Sequence, residues 1–156
     1  MKPIHVALML LSLGFVLVSC NESSYKKWEV YGGGADNIRY SALRQIDTSN
    51  VTRLTKLWEY RAGDADTFTQ IQTNPIVIGN TLFGVSPKLK LFALDAATGA
   101  KKWEFDPYAV SSTEVKGIGY FSMNVCRGVT YYAATAPARL FYAAGSSLFC
   151  INAEGQ

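Results

Sequence analysis

Short stretches of alternating apolar and polar residues, separated by turn-forming residues, dominate the chain after residue 75. Side chains of a β-strand point alternately to two faces, so this period predicts strands rather than helices. Four strands are predicted in succession, over Ile76 to Ile78, Thr81 to Val85, Lys90 to Asp95 and Lys101 to Phe105. The pattern therefore indicates an all-β fold.

Turn chemistry supports these boundaries. Gly79 and Asn80 form a two-residue hairpin turn between the first two strands. Asp95 and Thr98 carry oxygens that can hydrogen-bond turn backbone groups, and Gly99 tolerates a positive φ. In the third strand, alternation places two sets of side chains on opposite faces: Leu89, Leu91 and Ala93 against Lys90, Phe92 and Leu94.

A second unit repeats the first. Strands are predicted over Val129 to Ala133, Arg139 to Ala144 and Ser147 to Asn152, and residues 148–153 echo residues 91–96. The second unit has no turn glycine at the position equivalent to Gly99 before the sequence reaches Gln156. It also has no tryptophan equivalent to Trp103. A repeat unit cannot bury its faces alone, so we expect the chain to be the beginning of a longer protein.

The segment before the first hairpin predicts less regular structure. Leu43, Ile46, Val51 and Leu54 are its apolar anchors, with a short helical turn over residues 50–54 capped by Thr48 or Ser49. Alternation over residues 56–61 predicts a further strand.

Residues 1–19 read as an export signal, because Lys2 precedes an apolar run, Val6 to Val18, that is short for a membrane span. The stretch Leu17-Val18-Ser19-Cys20 at its end resembles a bacterial lipoprotein cleavage box, with Cys20 as the lipidated residue. The alternative is an ordinary signal peptide with a chance cysteine. Residues 20–27 then form a polar tether, and Asn21 resembles the lipoprotein sorting pattern for the outer membrane.

Composition excludes several classes of function. The one histidine, His5, lies in the predicted signal, which excludes histidine catalysis and histidine metal ligation in residues 20–156. The net charge of +3 includes no dense basic patch, so we expect no nucleic-acid partner. Cys126 and Cys150 are too few for a disulfide scaffold or zinc site; they either pair or serve as small buried residues.

Five residues resemble the tryptophan-docking motif of the quinoprotein β-propellers: Ala93, Asp95, Thr98, Gly99 and Trp103. In that family each such tryptophan packs between neighbouring blades. Ala100 stands where the family has a basic residue, and an ordinary hairpin with a core tryptophan is the alternative.

The opening segment, Trp28 to Ser41, resembles the N-terminal signature of dehydrogenases that depend on pyrroloquinoline quinone (PQQ). The resemblance rests on a tryptophan, a tyrosine-glycine run and Arg39-Tyr40-Ser41; Asp36 and Arg39 are expected to fix this loop through charged hydrogen bonds. It implies that residues 28–156 are the N-terminal part, about one and a half blades, of a quinoprotein-type eight-bladed β-propeller. Residues 56–61 would then be the outermost strand of the last blade.

The resemblance implies two cofactor contacts. Many members have a glutamate before the innermost strand that contacts the quinone; Gln72 stands there instead and could equally be a loop hydrogen-bonder. Arg127-Gly128 matches the cofactor-binding arginine of the family, and a guanidinium suits the carboxylates of PQQ. A surface salt bridge is the alternative for Arg127. Calcium ligands and the catalytic base would lie beyond residue 156, so no catalytic or metal residue is assigned.

These expectations describe the front of an exported, periplasmic, lipid-anchored PQQ-dependent dehydrogenase of the membrane-type glucose or sugar branch. That branch is favoured because Cys126 is single, not part of a vicinal pair, and it receives no chemical role. The enzyme would oxidise a sugar or alcohol and pass electrons to quinone or cytochrome, and the chain alone would be inactive. The rival is a non-catalytic propeller lipoprotein, similar to the scaffold of the outer-membrane barrel assembly machinery; a gene fragment without function is a third possibility.

Overall fold

The computed structural model describes residues 25–110, 125–134 and 136–155. The predicted signal peptide, residues 1–19, and Cys20 lie outside the described residues. Two antiparallel sheets make up most of the described chain, one of four strands and one of three. Within the described part, no helix is both long and apolar enough to cross a membrane.

The first sheet contains all four strands that the alternation predicts. Their order is sequential, and their bounds are β1 Ile76–Ile78, β2 Thr81–Val85, β3 Leu91–Asp95 and β4 Lys101–Phe105. β3 begins one residue later than predicted because Lys90 belongs to the preceding turn, where Ser86 N donates to Lys90 O at 2.9 Å. A single-turn helix, α1, follows at Pro107–Val110.

The second sheet confirms the internal repeat. Its strands are β5 Thr130–Tyr132, β6 Arg139–Ala144 and β7 Ser147–Asn152, again in sequential order. β6 and β7 match their predicted bounds, whereas β5 is one residue shorter at each end.

The turn after β3 is organised by the Asp95 carboxylate. Its Oδ1 accepts hydrogen bonds from the backbone N–H of Ala97 at 3.1 Å and of Thr98 at 3.0 Å, and from the Thr98 hydroxyl at 3.0 Å. Its Oδ2 accepts from Asn80 Nδ2 at 2.6 Å, which ties this turn to the β1–β2 hairpin. The predicted turn role of Asp95 and Thr98 is confirmed.

The core lies between the two sheets. Ile76, Leu91 and Leu140 are fully buried there, and Phe105 of the first sheet packs edge-on against Tyr142 of the second with ring centroids 6.4 Å apart. The predicted alternation holds along β3: the side chains of Leu91 and Ala93 join this core.

Phe92 points to the opposite face of the first sheet. There it packs against Tyr60, with ring centroids 4.9 Å apart. Leu94 is buried on that same face and lines, with Phe92 and Trp58, an apolar groove of about 440 Å³. Both faces of the first sheet are therefore apolar.

A tryptophan lies over a left-handed glycine at two places. A Cβ on Gly99 (φ 73°) would stand 2.5 Å from the Trp58 indole, and one on Gly155 (φ 88°) would stand 2.6 Å from Trp103. Only glycine permits both the backbone conformation and the close approach. Trp103 thus docks its own sheet onto the end of the second sheet, as the resemblance implies.

No glycine stands at position 156, the equivalent of Gly99, as expected, but a second turn glycine lies one position earlier. Gly155 fills that role one position early because the turn after β7 is one residue shorter. Gly99 N donates to Asp95 O at 2.8 Å, four residues back, whereas Gly155 N donates to Asn152 O at 2.9 Å, three residues back.

Two expectations for the segment before β1 are wrong. Residues 56–61 form no strand, because no strand among the described residues offers them a ladder of hydrogen bonds. The helical turn is a 3-10 helix, Val51–Arg53, and its N-cap is Asn50, not Thr48 or Ser49. Ser49 instead donates its N–H and hydroxyl to Asp47 Oδ1, at 2.7 and 2.6 Å.

The docking contact predicts unequal effects of alanine at two glycines. Gly79 also has a positive φ, of 57°, but open space surrounds its Cβ position. We expect Gly79→Ala to lower the free energy of unfolding by about 1–2 kcal/mol through backbone strain. Gly99→Ala should lower the free energy of unfolding by about 1–3 kcal/mol more than Gly79→Ala does, because it also displaces Trp58. Equal losses in chemical denaturation would contradict the docking contact.

The Asp95 turn predicts a pH-dependent stability. The Thr98 hydroxyl, followed by the backbone N–H donors, holds the pKa of Asp95 below its usual value. The charged form therefore stabilises the fold above the unfolded-state pKa of about 3.9, and this contribution is lost as pH falls through the lower folded-state value. Thermal unfolding should show Asp95→Asn less stable than wild type at neutral pH and a shrinking difference below about pH 4. A difference that stays constant across this range would count against the charge effect.

Candidate functional site

The inner strands of the two sheets begin side by side. Asn74, just before β1, and Gly128, just before β5, form an isolated parallel bridge. Pro75 follows Asn74 at the edge of the sheet, where a residue without an N–H is tolerated. We call the N-terminal ends of β1 and β5 the rim.

Two consecutive residues that precede β1 hold two consecutive carbonyls that precede β5. Thr73 Oγ1 donates to Cys126 O at 3.0 Å. Asn74 donates twice to Arg127 O, from its backbone N and from Nδ2, each at 3.0 Å. We call these four residues the inter-sheet clamp. Sequence reasoning missed Thr73 and Asn74; the only local signal was a pair of polar side chains between Gln72 and a strand.

Both predicted cofactor contacts lie at the rim. Arg127 is a clamp residue, and Gln72 stands two positions before Asn74; both side chains are exposed. No carboxylate among the described residues forms an ion pair with Arg127, which removes the surface salt bridge as an explanation within that part of the chain. The Asn74–Gly128 bridge brings the segments that carry Gln72 and Arg127 side by side, and the role of the two side chains toward a cofactor stays a prediction.

Cys126 faces inward from the clamp. It is 6% exposed, and its Sγ donates to Gly128 O at 3.2 Å. Burial raises the pKa of the Cys126 thiol, so the group stays neutral and is a poor nucleophile at neutral pH. Cys126 and Cys150 are both free, so they do not pair; Cys126 is the small buried residue expected, whereas Cys150 is exposed.

The segment from Tyr25 to Tyr40 lies beside the edge of β1 that does not pair with β2. Val77 N donates to Trp28 O at 2.8 Å, which places Trp28 beside the inner strand. Arg39, in a left-handed conformation with φ 57°, donates from Nη2 to Tyr31 Oη at 2.8 Å.

Tyr25 closes the same segment from its other end. Its hydroxyl donates to Asp36 Oδ2 at 3.2 Å, which raises the pKa of Tyr25. Its ring packs edge-on against Tyr40 with centroids 5.8 Å apart, so the last residues of the predicted tether contact the loop. Asp36 and Arg39 fix the glycine-rich loop as expected, with tyrosine hydroxyls as their partners.

Lys90 forms ion pairs at the C-terminal end of β4. Lys90 Nζ lies 3.3 Å from Asp106 Oδ2 and 3.7 Å from Glu104 Oε1, and the Asp106 contact is the main cause of the raised pKa of Lys90. Among the described residues, no group of three His, Cys, Asp or Glu side chains could hold a metal ion.

Comparison with known proteins identifies a family. The model described as "PQQ: Glucose/ethanol/alcohol dehydrogenase, beta-propeller domain" matches residues 28–155. Quinoprotein glucose dehydrogenase of Escherichia coli (strain K12) is 37% identical over 114 residues, covering 70% of this chain and 14% of that protein. Quinoprotein glucose dehydrogenase A of Acinetobacter calcoaceticus is 40% identical over 112 residues, covering 69% of this chain and 13% of that protein.

A solved structure shows the same architecture. The quinohemoprotein alcohol dehydrogenase ADHIIG of Pseudomonas putida HK5 superposes with a TM-score of 0.67 and 25% identity, over 86% of this chain and 19% of that one. The two sheets are therefore neighbouring blades of a quinoprotein β-propeller. The chain spans about one seventh of the length of the curated relatives it matches.

The different burial of the two cysteines predicts their labelling. At pH 7.5, iodoacetamide should alkylate the exposed Cys150 at least about tenfold faster than Cys126, because a buried neutral thiol reacts only after local opening. Timed quenching followed by peptide mass mapping measures both rates. Cys150→Ser is the control, since it should leave the slow rate of Cys126 unchanged; rapid labelling of Cys126 would contradict its burial.

Proposed function

The chain belongs to the PQQ-dependent glucose, ethanol and alcohol dehydrogenase β-propeller family, and from that premise we propose that it is the N-terminal part of a dehydrogenase that oxidises a sugar or alcohol. The observation that carries the proposal is the rim, where the exposed side chains of Gln72 and Arg127 come from two adjacent blades. A cofactor at the propeller centre would meet the ends of several inner strands at once.

The glucose or sugar branch is the substrate class we favour. Both relatives described above are named glucose dehydrogenases. The single Cys126, buried and directly before Arg127, also differs from the vicinal cysteine pair of some alcohol dehydrogenases of the family. The particular sugar would be selected by residues outside the described chain.

The residues at the rim fit one side of PQQ. Arg127 presents a guanidinium whose N–H groups can form charged hydrogen bonds with a carboxylate, and Gln72 presents an amide that both donates and accepts. When bound, PQQ supplies the two-electron acceptor for the oxidation. The role of this chain is to bind and orient it. The metal, which we propose to be calcium, and the proton-accepting base would be held by residues beyond 156, so we expect no turnover by residues 20–156 alone.

We further propose an exported, periplasmic protein with Cys20 lipidated and anchored in the outer membrane, passing electrons to quinone or a cytochrome. The apolar run before Cys20 and Asn21 after it support the export and the lipid anchor. The rival function, a non-catalytic propeller scaffold, is less well supported because it gives no reason for a PQQ-dehydrogenase match over residues 28–155.

Arg127 and Arg139 provide a matched test. Both are exposed arginines of the second blade, but Arg139 begins β6 and is the backbone partner of Tyr132, at the end of β5 away from the rim. In the protein isolated from its own cells, Arg127→Ala should raise the Kd for PQQ about 10–100-fold, the effect of losing hydrogen bonds to a charged group. Arg139→Ala should leave it unchanged. Fluorescence titration of the metal-loaded, quinone-free protein measures both.

The outcomes separate two claims. If the wild-type protein binds no PQQ and oxidises no sugar or alcohol with an artificial electron acceptor, the proposed function is wrong. If it binds PQQ and Arg127→Ala binds equally well, the function stands and the assignment of Arg127 is wrong.

A further inference from the structure

We propose that Asn74 is a positioning residue for PQQ binding, acting through Arg127. The inference rests on the proposed function and concerns a residue to which the sequence assigned no role. Asn74 lies in the first blade, whereas Arg127 begins the second, so the inference also states how one blade orients a cofactor contact carried by the next.

Two peptide planes flank Arg127. The carbonyl of Cys126 marks one plane and the carbonyl of Arg127 the other, and each peptide group is rigid. Thr73 Oγ1 holds the first carbonyl at 3.0 Å, and Asn74 holds the second with two donors at 3.0 Å each. The φ and ψ of Arg127 are the rotations between these planes. Fixing both planes therefore fixes the direction of its Cα–Cβ bond.

The residues on either side of Arg127 add support from the core. Cys126 and Val129 are 6% and 4% exposed, and the Cys126 thiol donates to Gly128 O at 3.2 Å. Arg127 is the exposed side chain within this buried backbone. Its side chain is long and flexible, so the direction in which it leaves the backbone limits the region that the guanidinium samples.

Asn74 is itself firmly placed. Ile76, two residues later, is fully buried in β1. Its backbone N–H already donates to Arg127 O, so the bond from the side-chain Nδ2 is a second one to the same carbonyl. Asn74→Ala removes this second donor and keeps the backbone bond, so the variant tests orientation without deleting the bridge between the blades.

The control is an asparagine at the other end of the same strand. Asn80 Nδ2 donates to Asp95 at 2.6 Å in the turn remote from the rim. In the protein isolated from its own cells, Asn74→Ala should raise the Kd for PQQ about fivefold, the effect of one neutral hydrogen bond. Asn80→Ala should leave this Kd unchanged, although both variants lower the melting temperature.

A double-mutant cycle distinguishes positioning from general weakening. If Asn74 acts through Arg127, Asn74→Ala should have no further effect on the Kd in the Arg127→Ala background. Asn74→Asp keeps the shape of the side chain and lacks the donor, so it should weaken PQQ binding at least as much as Asn74→Ala. Unfolding curves for every variant show that the affinities refer to folded protein.

Three results would overturn the inference. An unchanged Kd in Asn74→Ala would show that the second donor does not matter. An undiminished effect in the Arg127→Ala background would show that Asn74 acts by another route. Absence of PQQ binding by the wild-type protein would remove the proposed function and this inference together, an outcome that the wild-type titration alone identifies.

Discussion

The packing of a tryptophan ring on a bare glycine backbone is the contact on which the arrangement of the two sheets depends. Trp58 lies on Gly99 and Trp103 on Gly155, and in each case a Cβ would collide with the indole. A β-sheet with two apolar faces needs a packing partner on each face, because both faces must be buried. The Trp103 ring gives the two sheets a defined docking position, because Gly155 leaves the backbone uncovered where the ring lies. Trp58 covers Gly99 in the same way from a segment outside both sheets.

The docking of the two sheets determines how the N-terminal ends of β1 and β5 lie relative to each other at the rim. With the core of Ile76, Leu91 and Leu140 closed between the blades, β1 and β5 begin at the same end and their leading residues pair. The clamp bonds join the residues that precede these two strands, where Asn74 and Gly128 form the parallel bridge. The segments that carry Gln72 and Arg127 lie side by side for the same reason, so a site made of two blades depends on the packing of the core between them.

Local chemistry explains why most of the fold could be predicted from the sequence. The glycine turn at Gly79 and the carboxylate-centred turn at Asp95 each fix a hairpin through residues a few positions apart, and alternation then fixes the faces. Residues 56–61 show the limit, because alternation states which face is apolar and says nothing about whether a partner strand lies alongside. The clamp shows the same limit at the site: Asn74 and Arg127 are 53 residues apart, and no local pattern joins them.

The division of the rim between two blades has a thermodynamic consequence. A ligand that contacts both Gln72 and Arg127 binds only when the blades are docked, so its binding free energy adds to the stability of that docking. The reverse also holds, since binding and docking are linked by the same equilibrium. A weaker interface, as when Trp103 or Gly155 is altered, therefore lowers the affinity for such a ligand without touching it. The coupling between ligand binding and blade docking is most direct at the clamp, because Thr73 and Asn74 belong to one blade and the carbonyls they hold belong to the other.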